Sequence, residues 1–325
     1  MADKGERVCS SCAKRHKKTK VVSERPLYII FSRHFDLRSA ETYASLARAI
    51  VSQGARVGVW AEVYDHISDA SLRSVAERVA DLSVVRSAEA LLSVGGDGTF
   101  LAAAKMVMGA GVPILGVNRG RLGFLSDVAP EQIHAAIGDL LAGNYRTVEV
   151  PVINMYVDDG RSPIGYAVNE FAITKCDNSS MLTLDTYVDG DYLTTYWSDG
   201  LIVSTSTGST AYSLSVGGPI VVPTVRSLIV TPVAPHNLSI RPLVLPDDVV
   251  LNIVVGGRSS NVMASFDGQA RLVPCGGRLR IAKAGVGVRR VQLSSYSFFQ
   301  ALREKLMWGA DVRNGHVARP ADSLS

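Results

Sequence analysis

The chain has 325 residues, 47% hydrophobic and 20% charged, a balance that suits a buried core and excludes an intrinsically disordered protein. Thirty-four basic against thirty acidic residues leave a net charge of +4, too little to argue for a nucleic-acid binder. There is no run of about 18 apolar residues and no apolar segment behind the N-terminal MADKGERVCSSCAKRHKK, and the four cysteines cannot form a disulfide scaffold, so a protein of the cytoplasm with no membrane contact is expected.

Residues 1–24 carry Cys9, Cys12 and His16 among five basic residues between Lys14 and Lys20. The C-x-x-C spacing could open a zinc site, but no second ligand pair follows nearby, and a solvated basic arm is the expectation. From Pro26 strand and helix patterns alternate. LYIIFS from Leu27 is a buried-strand run. A helix follows with Tyr43, Leu46, Ala47 and Ile50 on one face and Gly54 at its end. ARVGVW is the next strand, a helix is expected over Ser71 to Ala80, and ALLSV ends at Val94. A further helix from Thr99 to Met108 and the strand VPILGV complete an α/β domain, 25–149, with a doubly wound, mostly parallel sheet.

Beyond Val150 helical periodicity disappears. Asp-Gly pairs at 159–160, 189–190 and 267–268 mark turns, and TLDTYV-DG-DYLTTYW reads as a type I′ hairpin with Leu182, Leu184, Thr186 and Val188 on one face. A β-rich domain is expected over 150–295. The segment 296–325 should hold a helix, with Phe299, Leu302 and Leu306 on one face and Gly309 as its stop, that returns to the first domain.

Two segments carry chemistry. Gly95-Gly96-Asp97-Gly98-Thr99 sits between a buried strand and a helix, where glycines admit close approach and the helix start attracts phosphate. An acidic residue there suits a metal contact or a base for a hydroxyl; as a plain tight turn, Asp97 would be an N-cap. The stretch Asp199 to Pro219, dense in Ser, Thr and Gly, offers short donors suited to ribose and phosphate, or is a polar loop. Neither G-x-x-x-x-G-K-[ST] nor a G-x-G-x-x-G after the first strand occurs, which weakens a P-loop or an ordinary Rossmann reading. His236 reads as a structural residue, while Lys105 and Arg241 could neutralise phosphate charge or be surface residues.

GGDGT, the N-x-G-x-L-G-F-L of Asn118 to Leu125, Asn169-Glu170, DGLIVSTSTGSTAYSLSVGGPI and PHNLSIRPLV follow one another in an order that resembles the NAD kinases, over about residues 26 to 305. The resemblance implies transfer of the ATP γ-phosphoryl group to the 2′-hydroxyl of the adenosine ribose of NAD, with Mg²⁺ or another divalent metal on the ATP phosphates and no dedicated protein metal cage. It implies Asp97 as proton acceptor and Gly95, Gly96 and Thr99 as the phosphate loop. It also implies Gly98, Asn169, Glu170, Asp199, Thr210, Ala211, Tyr212, Ser215 and Gln269 as contacts to the dinucleotide. Trp197 and Ser180 depart from the basic residues common at their places. Homo-oligomers, dimers or tetramers, are typical of the resembled family. Two rivals remain at this stage: a lipid kinase, which would share GGDGT but needs no Asn169-Glu170 pair, and a non-catalytic dinucleotide-binding regulator, which needs no Asp97.

Overall fold

The computed structural model describes residues 25–120, 122–176 and 181–309; the Cys9–Cys12–His16 stretch and Ser180 lie outside them. The first half forms β1 (Leu27–Phe31), β2 (Arg56–Trp60), β3 (Ala76–Val79), β4 (Ala90–Val94), β5 (Pro113–Val117) and β6 (Arg146–Val150). β1, β4 and β5 are almost wholly buried, as strands covered by helices on both faces must be. Helix Ala40–Ser52 lays Tyr43, Leu46, Ala47 and Ile50 into the core and ends where Gly54 takes a φ of +81°. The helix expected over Ser71 to Ala80 stops at Val75, and Ala76–Val79 forms β3, parallel to β2. Ala76 and Val79 are buried in that strand, and the i, i+4 spacing of Val75 and Val79 had imitated a helical face.

The second half contributes β7 (Ile153–Val157), β8 (Gly165–Ala167), β9 (Glu170–Lys175), β10 (Leu182–Val188), β11 (Asp191–Ser198), β12 (Gly200–Thr205), β13 (Ser227–Val233), β14 (Leu243–Pro246), β15 (Leu251–Gly256), β16 (Asn261–Phe266), β17 (Gln269–Pro274), β18 (Arg278–Lys283) and β19 (Val288–Gln292). Two six-stranded antiparallel sheets, ordered β11-β10-β15-β18-β7-β8 and β14-β13-β12-β9-β16-β17, enclose one apolar core with residues from both, among them Leu184, Ile253, Phe171 and Val203. The turns at 189–190 and 267–268 have positive φ at both residues, as type I′ hairpins require. At the first Asp-Gly pair the positive φ falls on Asp158, one residue early.

β19 does not stay with these sheets. It inserts between β5, to which it is parallel, and β6, to which it is antiparallel, giving the order β3-β2-β1-β4-β5-β19-β6. The return to the first sheet therefore begins with a strand at Val288, ahead of the helix expected from residue 296. That helix, Phe298–Leu306, buries Phe298, Ala301 and Leu302, while Phe299 is exposed. Leu302 and Leu306 lie on the packed face as expected, and Phe298 takes the inward place expected of Phe299. Among the described residues no helix is long and apolar enough to cross a membrane.

Candidate functional site

β4 ends at Val94 and the chain turns at Gly95, whose φ is +155°. A Cβ there would meet Thr99 Oγ1 at 2.3 Å, so only glycine fits. Helix Asp97–Val107 starts at once, with Gly96 as N-cap and Thr99 N donating to Gly96 O at 2.9 Å. The helix is held by Phe100, Ala103 and Ala104, all fully buried; truncating Phe100 to Ala would cost about 3–5 kcal/mol. Its first N–H groups have no intrahelical partner and form the phosphate-attracting end of the turn. Thr99 is buried beneath Gly95 and shapes the loop from below.

Asp97 is the first residue of the helix and does not cap it. Its carboxylate accepts from Leu125 N at 2.9 Å on Oδ1 and from Phe124 N at 3.2 Å on Oδ2. Lys305 Nζ, from the C-terminal helix, donates to Oδ2 at 2.5 Å. The N-cap alternative is thereby overturned. Gly123 makes this seat possible: a Cβ there would stand 2.3 Å from Asp97 Oδ1. The N-x-G-x-L-G-F-L segment thus supplies the donors that aim the acidic residue. A cleft of about 740 Å³ opens beside the loop, lined by Asp36, Ser39, Thr42, Gly96, Arg119 and Ile133. Arg119 pairs with Asp36 at 3.1 Å and donates to Ser32 Oγ at 2.9 Å.

The β-rich half gathers a second group. Glu170 begins β9 opposite Ser204 of β12, and its carboxylate accepts from the backbone N–H of Tyr212. Glu170 Oε2 is buried with no partner. Burial, and then the nearby Asp267, push the Glu170 carboxyl up to about 7. Asp267, in the turn between β16 and β17, accepts from Val168 N at 2.7 Å and Asn169 N at 3.0 Å. Burial raises its carboxyl too, against the pull of those N–H groups and of Lys105. Lys105 Nζ donates to the Asp267 carbonyl at 3.1 Å, tying the helix that begins at Asp97 to the turn that holds Asn169 and Glu170. Burial pushes the Lys105 ammonium down.

Thr207 to Thr210 form a 3-10 turn that leads through Ala211 into the short helix Tyr212–Ser215; Tyr212 and Ser215 are exposed beside Glu170's partner N–H. Gln269 is exposed at the start of β17. Asp199 stands apart: it precedes β12, five residues before Ser204, roughly 15 Å along a strand at about 3.3 Å per residue. There it pairs with Lys175 at 2.7 Å. Trp197 is exposed beyond it and accepts from His236 N on its backbone carbonyl. Arg241 donates to the carbonyls of Leu238 and Ile240 and so braces its own loop. Asp267, Gly123 and Lys305 are the site residues that sequence reasoning missed. The Asp-Gly turn marked the place of the first and the glycine motif that of the second; nothing local to the sequence marks Lys305.

The family model for the ATP-NAD kinase N-terminal domain matches residues 9–145, and that for the ATP-NAD kinase C-terminal domain matches 168–292. A NAD kinase of Bacteroides fragilis is 42% identical over 290 residues, 88% of this chain and 99% of the relative. A NAD kinase of Flavobacterium johnsoniae is 44% identical over 231 residues, 70% of this chain and 79% of the relative. Yeast NADH kinase, solved in complex with NADH, superposes with a TM-score of 0.80 at 25% identity, covering 91% of each chain. A NAD kinase from Archaeoglobus fulgidus, solved with ATP, shares the fold with a TM-score of 0.65 at 22% identity, covering 87% of this chain and 97% of that one.

Proposed function

We infer the roles of these residues from the premise that the chain belongs to the ATP-NAD kinase family. It transfers the γ-phosphoryl group of ATP to the 2′-hydroxyl of the adenosine ribose of NAD, giving NADP. In our reading the triphosphate lies on the loop of Gly95, Gly96 and Thr99, with the nucleotide in the cleft beside Arg119, and the backbone of Gly98 meets the dinucleotide. The ribose of NAD lies against Asn169 and Glu170, and Tyr212, with Thr210, Ala211 and Ser215 around it, offers a ring to a base. The observation that carries this reading is Glu170 Oε2, a buried acceptor with no donor from the protein, set beside the Tyr212 N–H. A carboxyl left unsatisfied in a dry setting is costly unless a ligand hydroxyl completes it.

Asp97 accepts the hydroxyl proton as the 2′-oxygen bonds to phosphorus. Its two loop donors fix the carboxylate so that a remaining lone pair on Oδ1 is available. Among the described residues no group of three or more His, Cys, Asp or Glu could hold a metal. In our reading the cation is carried by the ATP phosphates, with Asp97 as the carboxylate of the loop; Mg²⁺ so bound would neutralise phosphate charge. Gln269 and Asp199 are further contacts to the dinucleotide in this reading, Asp199 beside its ion-pair partner Lys175. The domain division that best suits the sheets joins 25–149 with the returning segment from Val288. The strand edges at β11, β14 and β17 favour a homo-oligomer, which light scattering would test; the cytoplasm is the compartment we assign.

The deciding experiment is a coupled assay with protein, Mg-ATP and NAD, read out by a strictly NADP-dependent dehydrogenase. NADP should form only when all three are present. A wild-type protein that forms none would end the reading.

A further inference from the structure

The Lys305–Asp97 pair sets a difficulty for the mechanism. An acceptor of protons is here held by a cation, and three donors already occupy its two oxygens. Lys305 is not there by chance of an exposed tail. Phe298, Ala301 and Leu302 of its helix pack on Phe124, with the Phe124 and Phe298 ring centroids 5.7 Å apart, and Ile220 and Val222 close the cluster from the β-rich half. The ammonium also lies 4.6 Å from the Phe124 ring centroid. The helix thus delivers one positive charge to the loop where the triphosphate is to lie. Among the described residues Arg119 is engaged on Asp36 and Ser32, and Lys105 on the Asp267 carbonyl.

We propose that Lys305 exchanges partners during the reaction, leaving Asp97 for the terminal phosphate of ATP. The inference rests on the reading of Asp97 as proton acceptor. A lysine carries three donors on a flexible stem, and this one is 36% exposed, so the pair with Asp97 is weakly held. A triphosphate presents more charge than one carboxylate and draws the ammonium to it. The exchange frees a lone pair on Asp97 Oδ2 and places positive charge where phosphoryl transfer needs it. The 2′-oxygen then bonds to the γ-phosphorus, and the bond from that phosphorus to the β,γ-bridging oxygen breaks. ADP leaves with the electron pair, and the hydroxyl proton passes to Asp97. Before ATP arrives Oδ2 remains covered, and the ammonium keeps its positive charge beside the carboxylate.

The test compares ATP with ADP, both with magnesium and without NAD, by calorimetry on the wild type, Lys305→Met and Lys305→Arg. Lys305→Met should weaken ATP about tenfold or more and leave ADP within about twofold, since only ATP has the phosphate that Lys305 reaches. Its kcat should fall by a comparable factor or more, and Lys305→Arg should recover both quantities to within a few fold. If ATP and ADP weaken alike, or neither weakens, or kcat rises because Lys305 only covers the base, the exchange is wrong. Should Lys305→Met not fold, Lys305→Gln is measured and held to the same outcomes. Asp97→Asn, assayed alongside, separates the two readings. If it keeps kcat, the proton-acceptor reading falls; if it loses kcat while the ATP–ADP difference is missing, only the exchange falls.

Discussion

Asp97 and Glu170 are two acidic groups of the proposed site, and the two halves of the molecule hold them in opposite ways. Asp97 sits on a loop between strand and helix, part exposed, with two backbone donors and a movable ammonium. Glu170 sits at the start of a strand inside the β-rich half, with one backbone donor, a buried free oxygen and a second carboxyl close by. In the proposed reading the difference follows the ligands each half would handle. A triphosphate changes charge as it reacts, so its side of the site keeps its charges exchangeable. Ribose hydroxyls are neutral, and a dry, fixed acceptor discriminates among them best, because an unmatched partner leaves a buried polar group unpaired.

This contrast is sharpest if the halves are broken one at a time. Asp97→Asn keeps the size and one acceptor oxygen but removes the basicity, and kcat should drop by about 10²–10⁴-fold. NAD affinity measured by calorimetry without ATP should hardly change; a collapse there would make Asp97 a binding residue instead. Gly123→Ala tests the seat of that carboxylate without touching it. Its Cβ would lie 2.3 Å from Oδ1, so the carboxylate or the loop must move, and kcat should fall by up to about 10²-fold with the apparent KM for NAD preserved.

On the other side Glu170→Gln should raise the apparent KM for NAD by roughly ten- to a hundred-fold, and that for ATP far less. A disturbed KM for ATP alone would remove Glu170 from the ribose. The smallest effect is one of pH. The folded protein holds the Glu170 carboxyl at about 7 against an ordinary 4.5, so folding takes up a proton between those values. Stability from this group is complete below about 4.5 and is lost as pH rises to about 7, on the order of 3 kcal/mol at most. The melting temperature of the ligand-free protein should therefore decline over that window, and less steeply in Glu170→Gln; equal slopes would show that the carboxyl is not perturbed. Asp267 acts in the same direction and remains in both proteins.

What the sequence disclosed and what it withheld divide along physical lines. The four long buried strands and the two long helices between Leu27 and Val117 were readable because buried runs and helical spacing are local signals. The type I′ turns were readable because Asp-Gly favours positive φ. β3 was hidden because two valines four apart fit either period over so short a stretch. The C-terminal helix was placed, but Phe298 and Phe299 are adjacent, and only tertiary packing chooses which of them turns inward. Asp97 was legible as a residue between strand and helix. Its actual donors, Phe124, Leu125 and Lys305, come from distant segments, and no local pattern announces them.

The place of β19 bears on how the molecule is made. Residues Val288–Gln292 fill the slot between β5 and β6, so the first sheet needs one of the last strands to leave the ribosome. While the intervening β-rich half is being translated, β5 and β6 wait with unpaired edges, for on the order of ten seconds at bacterial-like speeds of ~5–20 residues per second. Such edges invite wrong partners, and a nascent chain in this state is a natural client for chaperones. A message cut short before Val288 would leave both β-rich sheets with all their strands and the first sheet without a strand that joins its two parts. Completion of the sheet and delivery of Lys305 come from the same stretch of chain after the β-rich half, so a truncation there would remove both together.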